Sequence, residues 1–184
     1  MGRPSKRKQR RAEILQAFAR VLAQHGYAGA TMTALGAEAG IAPGLIHHHF
    51  VNKSELLDAL LDSLLDGFRT RVQEEKDPDP LLAYIDGALR LDERSDLVSA
   101  RCWVGVFSEA LRNPALLRRM RRVIDNEITT IERLSGRHLD GQQAGAVLAF
   151  IIGALVLGAF APQKTAGFAA PSLRRFVAAL HTTE

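Results

Sequence analysis

Cysteine is nearly absent from this chain: Cys102 stands alone among 184 residues, so no internal disulfide can form. That excludes a disulfide-stapled secreted scaffold and makes a cytoplasmic protein the economical expectation. The chain also lacks any sustained period-two alternation of apolar and polar residues, which argues against a half-buried sheet. Its start, MGRPSKRKQRRAEIL, is basic but leads into no apolar run with a small-residue cleavage site, so no secretory signal is expected. No repeat of fixed period and no low-complexity tract interrupts it. Charge is missing altogether from Ala144 to Ala161, a run at the lower edge of membrane-spanning length. Half of that run is Ala or Gly, it stands alone, and no basic cluster flanks it. The expectation is therefore no membrane span but a helix buried on most sides, with Ala149, Gly153 and Gly158 letting another helix approach closely.

What the chain does have is helical periodicity from end to end. Helices are expected at about 8–24, 33–39, a short stretch after Pro43, 54–75, 80–94, 96–112, 114–135, 141–161 and 171–182, an all-α fold of about nine helices. Gly40 occupies a left-handed cap position, Pro43 a first helical turn, and Asn52 with Glu55 the spacing of a capping box. The KDPDP stretch at 76–80 is the clearest internal boundary. Net charge is +4, yet residues 1–11 alone carry Arg3, Lys6, Arg7, Lys8, Arg10 and Arg11, leaving −2 for the remainder. The excess thus reads as a basic N-terminal arm suited to phosphate, or as a solvated tail.

The segment IAPGLIHHHFVNK at 41–53 raises the possibility of a metal or catalytic site. Consecutive residues on a helix are about 100° apart, so His47, His48 and His49 fan out and cannot converge on one ion. No nucleophile stands near them at a recognisable spacing, so no catalytic residue, metal or cofactor is expected. With Ile46 and Phe50 turned inward, Gly44, Leu45, His47 and His48 face outward and His49 lies at the margin. A short helix of this kind, joined to its predecessor by a tight turn containing Gly40, is a helix-turn-helix, whose second helix enters the major groove of DNA.

The stretch TMTALGAEAGIAPGLIHHHFVNKSELL resembles the DNA-binding signature of TetR-family transcriptional regulators. Thr33, Leu35, Ala39, Gly40, Ile41, Gly44, Ile46, Phe50, Lys53, Glu55, Leu56 and Leu57 fit in register. Gly36 departs by replacing the usual Ala, which on helix propensity alone loosens that helix by about 1 kcal/mol, and His47 and His49 stand where Tyr is common. The resemblance implies that Thr33 and His47 contact phosphates at the groove edges. It makes Pro43, Gly44, Leu45 and His48 readers of base edges, with His49 beside them, and Lys53 a phosphate clamp. The last agrees with its place at a helix N-terminus, where free amides also favour phosphate.

More weakly, ARCWVGVFSEALRNPALLRRM and GAVLAFIIGALVLGAF resemble the BetI-like, choline-responsive subgroup of that family. Many of its members have Asp where Ile152 stands here, so a carboxylate for a cationic ligand is missing at that position. Trp103 and Phe107 are one turn apart, and with Tyr84 they either wall an effector pocket or are simply core. In RRMRR at 118–122, Arg121 is expected to pair with Asp125 on a solvated face, the alternative for the run being a site for an anionic effector. The resemblance divides the chain into a basic arm at 1–11, a DNA-binding domain at 8–53 with its motif at about 31–50, a linking helix at 54–75, and a ligand-binding and dimerisation domain at 76–184. Ala149, Gly153, Leu157 and Phe176 are its candidate dimer contacts. The expected activity is repression by a homodimer on a palindromic double-stranded DNA operator, relieved by a small-molecule effector. The competing classes are a constitutive architectural DNA-binding protein and, more remotely, a metal-dependent enzyme using His47 to His49.

Overall fold

The structure, a computed structural model, describes residues 6–90 and 94–181, with side chains described for all of these except 94–96, 180 and 181. The regular elements among them are nine α-helices and one 3-10 turn. A small head is built from α1 (Lys6–Gly29), α2 (Met32–Ala39) and α3 (Pro43–Ile46), and α4 (Lys53–Glu74) leads out of it. The body contains α5 (Pro80–Leu89), α6 (Arg94–Ala110), α7 (Pro114–Leu134), α8 (Gly141–Phe160) and α9 (Ala169–His181), with the 3-10 turn Pro162–Lys164 between the last two.

The helix starts follow from local chemistry. Asn52, Asp79, Asn113 and Asp140 each accept hydrogen bonds from first-turn amides, and Pro80 and Pro114 take the first helical position, where the missing N–H costs nothing. Asp140 and Gln143 form a complete capping box. At the start of α4 the Asn52 side chain accepts from the Glu55 amide at 2.9 Å, while the Glu55 carboxylate reaches past Asn52 to the Val51 amide at 2.7 Å.

Several expectations are corrected. The helix expected to end near Gln24 runs on to Gly29 across one non-helical residue, Gly26, whose φ of 67° and ψ of 177° lie in a region open essentially to glycine. The described part of the basic arm is helical: Lys6 to Arg10 are exposed in the first turns of α1 and Arg11 is half-buried; Arg3 lies outside the described residues. The helix expected over 80–94 stops at Leu89, and 91–93 lie outside the described residues. The uncharged α8 is not buried on most sides: only 33% of its most apolar window is covered. Ala144, Val147, Leu148, Ile151 and Ala154 face the body, whereas Ala149, Phe150, Gly153, Leu157 and Phe160 are exposed. Gly158 is buried with the former set, since five residues of helix rotate it about 140° from Gly153.

Two apolar cores result. One joins α1, α2 and α3 to the inner face of α4 and to Cys102, Trp103, Val106, Leu116 and Met120 of α6 and α7. The other fills the far end of the body among α5, α7, α8 and α9. Head and body therefore share a core through α4 and α6.

The turn of the helix-turn-helix is tight enough to reverse the expectation for Gly36. A methyl group there would come within 2.8 Å of the Ile41 carbonyl oxygen and 3.2 Å of the Pro43 ring. Helix propensity alone favours Gly36→Ala by about 1 kcal/mol. Overpacking against backbone costs about 1–3 kcal/mol, so the variant is expected to be no more stable than the parent, with a lower denaturant midpoint the predicted result. A rise of that midpoint would show that the turn yields freely.

Candidate DNA interface and interior cavity

The reading surface is set by two anchors. Ile46 and Phe50, one turn apart, are 0% and 1% exposed and seat α3 on the head core. Pro43, Gly44, Leu45, His47 and His48 are left at the surface, as is Thr33 on α2. Regular helix ends at Ile46, and His47 to His49 form the turn that follows, with the amides of His49 and Phe50 both donating to the Ile46 carbonyl at 2.9 Å. His49 is half-buried, and its Nδ1 is enclosed without a partner. Among the described residues no three His, Cys, Asp or Glu side chains come together as metal ligands.

Behind this surface sits a cluster that sequence reasoning missed. The Arg11 guanidinium lies 3.9 Å over the Phe50 ring, donates to the His49 carbonyl, and pairs with Glu55 at 2.9 Å. A planar fork on an aromatic face with two oxygens at its rim is a task for arginine rather than lysine. Arg11 thus holds the reading turn in place instead of belonging to a loose phosphate-binding arm. Lys53, at the first position of α4, rests its ammonium 4.0 Å over the Tyr27 ring. Partial burial lowers its pKa, and the Glu109 carboxylate of α6 pulls it back up.

In the body, Tyr84, Trp103 and Phe107 converge on one cavity of about 70 Å³, room for a few waters or a compact ligand. Trp103 stacks on Phe107 with ring centres 5.7 Å apart, and Phe68 of α4 meets Tyr84 edge-on at 5.5 Å. Leu65 of α4, Met120 and Val123 of α7, and Ile152 and Leu155 of α8 continue the apolar wall. Among the described residues the one charged group in the lining is Glu127, whose carboxylate accepts a 2.7 Å hydrogen bond from the Tyr84 hydroxyl. Burial drives the Tyr84 pKa far above its ordinary value, and the Glu127 charge pushes it further the same way. Glu127 stands on α7 and lines the same cavity as Ile152 of α8, and no spacing in the sequence points to it. Cys102 is buried nearby, its thiol pushed up to about 12 by desolvation, so it is chemically quiet.

The arginine run on α7 also differs from expectation. Arg119 reaches α4 and binds Asp58 and Asp62 there, and among the described residues these are the ion pairs that the run forms, with none between Arg121 and Asp125. The remaining candidate residues lie on the outer surface of the body, Ala149, Gly153 and Leu157 on α8 and Phe176 on α9, with Leu157 46% and Phe176 44% exposed.

Residues 14–60, from the middle of α1 into α4, match the family described as bacterial regulatory proteins, tetR family. Over 170 residues the chain is 26% identical to the HTH-type transcriptional regulator BetI of Burkholderia cenocepacia strain J2315, covering 88% of each protein. It is 27% identical over 171 residues to BetI of Burkholderia ambifaria strain MC40-6, again with 88% of each covered. The chain belongs to the TetR family. It is a DNA-binding transcriptional regulator of the BetI-like type. The all-α fold of this TetR-family chain recurs in a solved Rhodococcus transcriptional regulator, with a TM-score of 0.78 and 20% identity over 92% of this chain and 95% of that one. It recurs too in a Saccharomonospora viridis regulator solved in complex with choline, with a TM-score of 0.72 and 22% identity over 93% and 96%.

The Glu55 cluster gives a pH dependence with a definite sign. The Val51 amide and then Arg11 hold the Glu55 carboxyl below its ordinary value. A carboxyl depressed on folding contributes stability at neutral pH and loses it as pH falls through the depressed value. Glu55→Gln should therefore be less stable than the parent near neutrality, by about 1 kcal/mol or less for so exposed a group. The difference should vanish well below the usual carboxylate range of about 4. Denaturation followed at both pH values measures it, and a gap that persists in acid would assign the effect to packing.

Proposed function

We propose that this TetR-family regulator is a cytoplasmic homodimeric repressor that binds a palindromic double-stranded operator and is released by a small molecule entering the cavity around Trp103. One observation carries the reading: the cavity wall includes Leu65 and Phe68 of α4, the same helix whose first residue, Lys53, stands beside the reading turn. Occupancy of the cavity and orientation of the head thus act on one rigid element, and any ligand preferring one orientation shifts the other by linkage. In the proposal Thr33, His47 and Lys53 contact phosphates, while Pro43, Gly44, Leu45 and His48 face base edges with His49 at their side.

The dimer is proposed to form along the exposed apolar stripe of α8, from Ala149 and Phe150 through Gly153 and Leu157, with Phe176 of α9 beside it. In support, among the described residues nothing beyond the backbone of its own helix lies within 4 Å of a Cβ placed on Gly153, so a second helix can approach there. Two heads about 34 Å apart meet successive major grooves on one face of DNA.

The effector is proposed to be compact and largely apolar, with one cationic head against Glu127. Choline binding in the Saccharomonospora relative and the aromatic walls here favour this over a purely neutral ligand. Glu127 then supplies the carboxylate that Ile152 does not.

DNA fragments enriched by the protein from a random pool should contain paired inverted half-sites. Lys53→Ala should weaken binding to all sequences and flatten the salt dependence by about one charge, whereas His48→Ala should alter base preference. An unchanged salt slope would remove Lys53 from the phosphate contacts. Gly153→Arg should give a monomer in sedimentation at micromolar concentration, and a persistent dimer would place the interface elsewhere. Choline should change Trp103 fluorescence and release operator over the same concentration range, more effectively than its neutral carbon isostere. Failure of both compounds to move either signal would leave the cavity as packing.

A further inference from the structure

The outer face of α6 is the floor of an open groove, distinct from both the reading turn and the cavity around Trp103. α1 and α8 both pack on α6 and form the walls, with Tyr27 near the end of α1 and Phe160, 75% exposed, at the end of α8. The groove holds about 840 Å³, against about 70 Å³ for the Trp103 cavity, and among the described residues none lines both. The two lie on opposite sides of α6, because at about 100° per residue Arg101, Gly105 and Arg112 stand roughly 160–200° around the helix from Trp103. Arg101, Val104, Gly105, Ser108 and Arg112 follow at helical spacing along the floor, so one stripe has a guanidinium at each end and small or apolar groups between. About 16 Å of helix separates the two arginines at 1.5 Å per residue. Both are exposed, and among the described residues neither forms an ion pair. Arg101 Nε donates to the Ala159 carbonyl at 3.5 Å, the outer limit of a hydrogen bond.

We propose that this groove is a second ligand site, built for an elongated dianion with a carboxylate at each end of a flat apolar middle. Each guanidinium presents a planar fork that matches a carboxylate, and the spacing of the two along one helix face fits a ligand charged at both ends. Tyr27 and Phe160 offer ring faces to its middle, over Val104 and the backbone at Gly105. The α1 side is closed beneath the ligand, because α1 comes down onto α6 where Gly105 has no side chain; a methyl group there would meet Leu22 at 3.3 Å. Among the described lining residues the one acid is Glu109, whose charge acts on Lys53 of the head and is offset by it. Two guanidiniums therefore set the sign of the groove. The same dianion is turned away from the Trp103 cavity, where the space is far smaller and the charged group is the carboxylate of Glu127. The two sites thus select ligands of opposite charge on opposite faces of one helix.

The test titrates biphenyl-4,4′-dicarboxylate into the full chain by isothermal calorimetry, beside biphenyl-4-carboxylate. The dicarboxylate should bind about fivefold more tightly, the size expected of one further exposed ion pair. Arg101→Gln and Arg112→Gln should each lower its affinity by about that factor, and with both substitutions the two compounds should bind alike. Ser108→Phe, at an exposed position in the middle of the floor, should block both compounds. Glu109→Gln should bind the dicarboxylate more tightly than the parent, a gain that a damaged fold cannot produce and that covers the case in which an arginine variant folds poorly. Absence of binding to the parent at millimolar dicarboxylate would overturn the site. Equal affinity of the parent for the two compounds would do so as well, as would parent-like affinity in both arginine variants. Affinity that weakens as protein concentration rises through the micromolar range would give the groove to a second copy of this chain and overturn the ligand.

Discussion

The leucine face of α4 is the constraint on which the remaining architecture depends. Leu56, Leu57, Leu60, Leu61 and Leu65 are all buried, and the core they enter contains Ile14, Phe18 and Leu22 of α1 as well as Val106, Leu116 and Met120 of the body. Burying each such side chain contributes on the order of 1.5–3 kcal/mol. Any sliding or rotation of α4 by a fraction of a turn would expose several of them at once. The helix therefore moves as a rod or not at all, and a rod is what a regulator needs to carry a displacement from one end to the other.

Around that rod the polar contacts are graded by exposure. The Arg11, Phe50 and Glu55 cluster fixes the reading turn to α1 and α4 with a stacked guanidinium and short hydrogen bonds, so the head behaves as one body. The Arg119 contacts to Asp58 and Asp62 are more exposed on the aspartate side and less so on the arginine side, and they add to the apolar core that joins that body to the effector half. The division follows from dielectric: apolar and stacked contacts hold their strength, whereas exposed ion pairs are weakened by water and salt. Apolar packing thus carries the join between head and body, and the ion pairs add to it at its rim.

The cavity follows the same logic in an apolar setting. Its walls are aromatic and aliphatic, and its polar content is a carboxylate and a phenol already bonded to each other. A buried carboxylate lacking a cation is costly; Glu127 is only partly buried and has the Tyr84 hydroxyl as donor, and it forms no ion pair among the described residues. A cationic ligand would complete that arrangement.

The sequence by itself determined most of what depends on neighbours within one or two turns. Asn52, Asp79 and Asn113 start helices, Gly40 and Pro43 shape the turn, and the spacing of Ile46 and Phe50 sets which side of α3 faces out, because caps and periodicity are local. It also brought Tyr84, Trp103 and Phe107 forward, though not the fact that one void joins them. Tertiary structure alone decided the contacts across 38 to 61 positions, Arg11 with His49 and Glu55 and Arg119 with Asp58 and Asp62. A charged residue looks the same in sequence whether it faces solvent or a partner sixty residues away. It decided likewise that Gly36 is a close approach of backbone rather than a weak spot in a helix, and that Ala149 and Gly153 face outward while Gly158 faces in. Those outcomes depend on how the elements pack against one another, and helical period alone does not specify the partner.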